Sequence, residues 1–414
     1  MLYFDRYLSK NLFTASLAEP IKESTTLIVV IPCYNEPDIL TSLNSLWECD
    51  KPEHSVEVIV VVNFPENSDK SVAEFNFNTF NEIIEWSKLH QNDVFRCLAI
   101  YAPNLPIKFA GVGLARKIGM DEAVSRYNKI NNEGGIICGF DADSLVDKNY
   151  LIAIQEHFQV HKKSPGASIY FEHDIEVQKS PKIRMGIIQY EIHLRYLLQC
   201  IRFIGFPHAF HTVGSSFAVT ASAYVKQGGM NRFKAGEDFY FLNKIIPLGG
   251  FTEINNTRVI PSSRVSNRVP FGTGASMTKW LNDSDEAFYT YNFYSFIPLK
   301  ELFMDLNTIY LLKKIDNKRY PPVLAKFLEE HKAEGALKEI LENSSSFQFF
   351  AKRFYAWFDA FKIVKYLNFA SVNDLPKQPV RREAVKILTT LGINKEKPEI
   401  EELLEVFRKL DKNQ

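Results

Sequence analysis

Glycine all but disappears toward the end of the chain: of 19 glycines in 414 residues, 17 precede residue 300 and only Gly335 and Gly392 follow it. The turns of an α/β architecture are thereby confined to the earlier part, and the remainder reads as helical. Net charge is also lacking. Basic and acidic residues number 49 each, so no long-range field draws the chain to nucleic acid, and nucleic acid is not an expected partner. The five cysteines, Cys33, Cys49, Cys97, Cys138 and Cys200, are odd in number, widely spaced and mostly set in apolar runs. Neither a disulfide frame nor a zinc cluster follows, and they read as buried thiols of a reducing compartment. Long hydrophobic runs are missing too. Met1 to Lys10 mixes Asp5, Arg6 and Lys10 into a short apolar stretch without the core of a signal peptide. The stretch from Tyr196 to Phe206 is interrupted by Arg202 and is too short to span a bilayer. A cytoplasmic protein is expected, with peripheral contact from the cytoplasmic side of a membrane left open.

What is present is an ordinary globular composition, 46% apolar and 24% charged, long enough for two or three domains or one large enzymatic domain with an appendage. The aromatic share of 13%, with 33 Phe, fits either a ring-rich core or surfaces for sugar or lipid. Leu27 to Ile31 and Val56 to Val62 are continuous apolar runs of β-branched character, the mark of strands buried on both faces. Between them Ile39, Leu40, Leu43 and Leu46 repeat at helical spacing, giving a βαβ unit. A helix over Asn81 to His90, a strand over Val94 to Tyr101, a helix over Gly113 to Tyr127 and a strand over Gly135 to Phe140 continue the alternation. Beyond residue 145 helices are expected near 150–160 and 183–203, strands at 167–173 and 216–220, and a helix opening at Glu237.

Asp141-Ala142-Asp143 directly follows the fourth apolar strand. Two carboxylates at alternate positions at the carboxyl edge of a sheet can converge on one hard divalent cation and leave places for phosphate oxygens. Asp-X-Asp alone also fits a surface turn; its position after the strand favours the cation. The first strand ends in Pro32-Cys33-Tyr34-Asn35-Glu36, a tight polar turn of the kind that meets a nucleotide, or a helix start capped by Asn35. Gly236-Glu237-Asp238 opens a helix with two acids, which either complement the helix dipole or stand near an acceptor hydroxyl. Gly111-Val-Gly113 lacks the third glycine of a dinucleotide fingerprint, Arg116 standing in its place, and no P-loop string occurs.

Taken in order, Pro32-Cys-Tyr34-Asn35-Glu36, Gly113-Leu-Ala-Arg116-Lys-Ile-Gly119, Asp141-Ala-Asp143 and Gly236-Glu237-Asp238 resemble the family-2 glycosyltransferases of the GT-A fold, over roughly residues 25 to 270. The resemblance implies a GT-A, Rossmann-like nucleotide-sugar domain with a mixed central sheet, plus a helical C-terminal region. It divides the chain into an N-terminal segment (1–24), a glycosyltransferase domain (25–300) and a helical region (301–414). It implies a nucleoside-diphosphate sugar donor, a glycan, glycolipid or small hydroxyl acceptor, and Mn2+ or Mg2+ held by Asp141 and Asp143. Pro32, Tyr34, Asn35, Glu36, Asn63, Arg116, Asp141, Ala142 and Asp143 would line the donor. Arg264 and Arg268, in the basic, glycine-hinged stretch 261–274, would reach the leaving diphosphate. His208, His211, Gly214 and Ser215 would face the acceptor, with Asp238 as base and Glu237 the second choice. Two departures stand out: Asn63 occupies a place that is usually acidic, and Lys117 one that is often Asn. Retaining GT-A enzymes commonly supply a later histidine as a metal ligand, and none stands between Asp238 and Glu330, so the resemblance implies inversion. A non-catalytic sugar-nucleotide or glycan-binding protein of the same fold is the alternative, and a nucleotidyltransferase ranks third.

In the tail, Phe350, Phe354, Trp357, Phe358 and Phe361 fall within one expected helix, 349–367, with Lys352, Asp359, Lys362 and Lys365 on another face. It reads as the core helix of a small helical domain or as an interfacial helix.

Overall fold

The computed structural model describes residues 2–11, 13–178, 180–265, 272–282, 287–394 and 398–413. The chain forms two compact units, one of Met1–Val177 with His211–Thr278, the other of Gln178–Phe210 with Lys279–Lys412.

The first unit is built on an eight-stranded sheet. Its strands are β1 (Thr25–Cys33), β2 (Ser55–Pro65), β3 (Phe95–Leu105), β4 (Ile136–Gly139), β5 (Leu145–Val146), β6 (Gly166–Phe171), β7 (Phe217–Thr220) and β8 (Thr252–Ile260), in the spatial order β3-β2-β1-β4-β7-β6-β8-β5. β3, β2, β1 and β4 run parallel, with Val29 opposite both Val58 and Cys138. β7 is antiparallel to β4 and β6, β8 is parallel to β6, and β5 is antiparallel to β8. The sheet is therefore mixed, as expected for the α/β class. β1 and β2 are buried along almost their whole length, which is why their sequences are continuously apolar rather than alternating.

Among the described residues five α-helices precede residue 178: α1 (Leu2–Lys10), α2 (Ile39–Trp47), α3 (Lys70–Leu89), α4 (Val112–Lys129) and α5 (Tyr150–Val160). α3 begins well before the expected Asn81. α1 is tied to α4 by the Tyr7 hydroxyl, which donates to Asp121 at 2.7 Å and accepts from Lys117 at 3.0 Å. Glu57 of β2 is buried between two guanidinium groups, Arg96 at 2.9 Å and Arg126 at 2.5 Å, which satisfies a charge that would otherwise be costly there. All five cysteines are buried and unpaired with one another.

In the second unit, α6 (Pro181–Phe203) packs with the helix Ile400–Lys412: Arg195 meets Glu191 at 2.8 Å and Asp411 at 2.5 Å, and Arg408 meets Glu191 at 2.7 Å. The expected helix 349–367 is two, Phe347–Trp357 and Ala360–Asn373, separated where the Asp359 carboxylate accepts from the Lys362 amide. Phe350, Phe354 and Phe358 are fully buried, and Phe354 stacks on Phe358. These three rings belong to the core, as the core-helix reading requires. Among the described residues no helix is long and apolar enough to cross a membrane.

The first unit also contains α7 (Ala221–Lys226) and α8 (Glu237–Ile245). Gly236 takes a left-handed conformation (φ 69°) at the start of α8, a position that glycine fills without strain.

Candidate functional site

The residues singled out at the carboxyl ends of β1 and β4 fall into two clusters, each centred on one guanidinium. The shallower surrounds Arg264, beyond the end of β8. Its Nη2 donates to Glu36 at 2.5 Å and lies 3.4 Å from Asp143, while Nη1 donates to Asp38 at 2.9 Å. The Arg264 side chain is about one-third exposed, at 32%, whereas Glu36 is buried. Glu36 also accepts from the Asp38 amide at 3.0 Å. Asn35 adopts a left-handed conformation (φ 48°), and its amide donates to Asn76 of α3 at 3.0 Å. Asn is among the residues that tolerate this region, because its short polar side chain can satisfy the backbone locally. The turn after β1 thus points the Glu36 carboxylate inward, and the cap position of α2 is Asp38 rather than Asn35.

The deeper cluster surrounds Arg116 of α4. Its Nη2 donates to Asp141 at 2.8 Å, its Nε lies 3.3 Å from Glu237, and its Nη1 donates to the Gly214 carbonyl. The Arg116 side chain is 2% exposed; both Nη atoms make hydrogen bonds, and Nε has the Glu237 carboxylate as an ion-pair neighbour without a hydrogen bond. Burial pushes the Glu237 carboxyl up to about 7 against the opposing pull of Arg116, with Asp238 adding to the rise. Burial likewise raises Asp238, again opposed by Arg116. Asp238 is more open than Glu237, and its Oδ1 accepts from the Phe239 amide at 2.7 Å. A β-carbon added at Gly214 would lie 3.1 Å from both Arg116 Nη2 and Asp238 Oδ2.

The α4 glycines serve this packing. A β-carbon on Gly111 would come within 2.8 Å of Lys234 Cα, and one on Gly113 within 2.2 Å of the Phe233 carbonyl oxygen. They let the segment leading into α8 lie against the start of α4, which accounts for the pair without any dinucleotide.

The other expected residues are placed as follows. Pro32 is buried within β1 opposite Val61, and Tyr34 is half-buried in the following turn. The Ala142 carbonyl accepts from Ser42 of α2 at 2.9 Å, holding the Asp141–Asp143 turn. Asn63 is buried and donates to the carbonyls of Cys33 at 3.1 Å and Val61 at 3.3 Å, so its amide ties β2 to the end of β1. Ser215 is buried, its hydroxyl 3.3 Å from that of Ser216. His211 packs edge-on against Phe171 within the first unit, whereas His208 belongs to the second, edge-on to Phe206, its pKa lowered by burial. Arg268 lies outside the described residues.

Asp38 and Asn76 were not anticipated. Asp38 could have been noticed as an acid beside the Glu36 motif. Asn76 carries no local signal, because its partner lies in a distant turn.

Among the described residues no three or more His, Cys, Asp or Glu side chains gather as a ready-made metal cage. Asp141 and Asp143 are hard oxygen donors with side chains 40% and 28% exposed. That donor set suits a cation whose shell is completed by a ligand's oxygens and water.

No protein-family model matches the chain, and no curated protein matches it. Among solved structures it is similar to S. aureus TarS 1-349 in complex with UDP-GlcNAc, at 14% identity and a TM-score of 0.41, over 80% of this chain and 92% of that one. It is also similar to the mannosyltransferase PcManGT from Pyrobaculum calidifontis in complex with GDP-Man and Mn2+, at 15% identity and a TM-score of 0.38, over 90% of this chain and 93% of that one.

Proposed function

We propose that the chain is a GT-A glycosyltransferase resembling family 2, which moves a sugar from a nucleoside-diphosphate donor to a hydroxyl acceptor with inversion. The observation that carries this reading is the Glu237–Asp238 pair, with Glu237 buried and joined through Arg116 to Asp141 at the carboxyl edge of β4. Burial raises both carboxyls, and a carboxylate made more basic is better matched to taking a proton from an alcohol. The ordered motif set supplies the substrate class, and the first unit is assigned the activity.

Asp141 and Asp143 would hold Mn2+ or Mg2+, which when bound neutralises charge on the diphosphate. The turn Tyr34–Glu36 and Asn63 would receive the nucleoside, and Arg264 would meet the departing diphosphate. Asp238 would accept the proton of the acceptor hydroxyl as its oxygen attacks the anomeric carbon. The bond from that carbon to the diphosphate oxygen breaks on the opposite face, and the pair of electrons leaves with the diphosphate. Glu237 is engaged by Arg116 and more enclosed than Asp238, which favours Asp238 as the base. Gly214, Ser215 and His211 would border the acceptor.

The test is transfer from a panel of nucleoside-diphosphate sugars with Mn2+, comparing wild type with Asp238→Asn. The variant should bind metal and donor yet transfer at least about a hundredfold more slowly. Near-normal transfer by Asp238→Asn with Glu237→Gln inactive would move the role to Glu237. Nucleotide binding by wild type without any turnover would leave a sugar-nucleotide-binding protein in place of an enzyme.

A further inference from the structure

Arg116 turns inward. Each of its guanidinium nitrogens has an internal neighbour: the Gly214 carbonyl, Asp141 at 2.8 Å and Glu237 at 3.3 Å. The Phe217 ring lies 5.9 Å from the guanidinium carbon, and the side chain is almost wholly enclosed. A donor reaching this group would first have to displace a carboxylate already paired with it.

We infer that Arg116 is a positioning residue, whose single rigid fork holds Asp141, at the diphosphate end of the site, in register with the Glu237–Asp238 pair at the acceptor end. The inference rests on the transfer reading for the identity of those two ends. The planar guanidinium suits the task because it presents donors in fixed directions, which a lysine ammonium cannot reproduce. The nearby Gly214 completes the device. Lacking a β-carbon, it leaves room for both Arg116 Nη2 and Asp238 Oδ2.

Two variants test this, Arg116→Lys and Gly214→Ala. The first keeps the charge and removes the fork. The second removes no functional group, but its methyl would stand 3.1 Å from both Arg116 Nη2 and Asp238 Oδ2, so one or both must shift. UDP, GDP, ADP and CDP with Mg2+ would be titrated calorimetrically into each protein, and kcat and KM measured with the donor sugar that wild type uses. A positioning role predicts diphosphate affinity and KM within about threefold of wild type in both variants. It predicts kcat lower by about a hundredfold in Arg116→Lys, and by about tenfold in Gly214→Ala. Lost diphosphate affinity in Arg116→Lys with kcat preserved at saturation would make Arg116 a donor contact and overturn the inference. Full kcat in a folded Gly214→Ala would do the same, and that variant decides the matter if Arg116→Lys does not fold. If wild type binds a diphosphate but transfers nothing, the transfer reading falls, and the calorimetry still judges Arg116: retained affinity supports its internal role and lost affinity refutes it. Binding of none of the four diphosphates overturns both.

Discussion

Arg116 and Arg264 each face three carboxylates, yet one is sealed in and the other lies partly in water. Around Arg116 stand Asp141, Glu237 and Asp238; around Arg264 stand Glu36, Asp38 and Asp143. A sealed guanidinium cannot leave without stranding charge in a poorly hydrated place, so it behaves as part of the frame. A shallow one exchanges its partners for water or another cation at small cost, so it is suited to giving way. The alternation of Asp141 and Asp143 gives each guanidinium one acid of the same short turn, both of them partly exposed.

The largest expected effect follows from the sealed member. Arg116→Ala should lower stability in urea by about 3 kcal/mol, since it leaves the buried Glu237 without its counter-charge. A loss under about 1 kcal/mol would erase the distinction between the clusters.

Next comes the pH response of Glu237. Its folded pKa, near 7, lies above the ordinary 4.5, so between those values the folded chain binds more protons than the unfolded one. Its contribution to stability is complete below about 4.5 and is lost as pH rises through about 7, a change on the order of 3 kcal/mol. Subtracting the stability curve of Glu237→Gln from that of wild type should expose a fall over this window. A flat difference would mean that Glu237 is solvated after all.

Smallest is the effect on stability at the shallow member. Arg264→Ala should cost less than about 1 kcal/mol, and that cost should shrink further in molar salt. Turnover should suffer more than the melting temperature if the guanidinium meets developing charge on the diphosphate. A salt-independent loss of several kcal/mol would instead put Arg264 in the same class as Arg116.

The parallel half of the sheet was legible because buried parallel strands leave unbroken apolar runs, as in Leu27–Ile31 and Val56–Val62. β8 was not, since Asn255 and Asn256 interrupt it and its buried positions are sparse. The first half of α3 was hidden for the opposite reason: it buries polar Asn76 and Thr79 while Phe75 and Phe77 face water, so its hydrophobic period misleads. In the tail, the ring spacing runs on across the break at Asp359 because Phe354 and Phe358 share one core, and only the capping carboxylate marks the interruption. The acids of the candidate site could be named from their motifs. Their division between two guanidinium groups could not, because it depends on contacts such as Arg264 with Glu36, more than two hundred residues apart.

The buried cysteines have a practical consequence. Burial pushes the thiols of Cys49 and Cys97 up to about 12 and raises those of Cys138 and Cys200 as well, so at neutral pH these four hold almost no reactive thiolate. Alkylating reagents should therefore modify them only when the surrounding structure opens, and the modification rate becomes a clock for that opening. Cys97 in β3 and Cys200 in α6 lie in different units, so mass spectrometry of the two labelled peptides would time each unit separately, without any engineered probe.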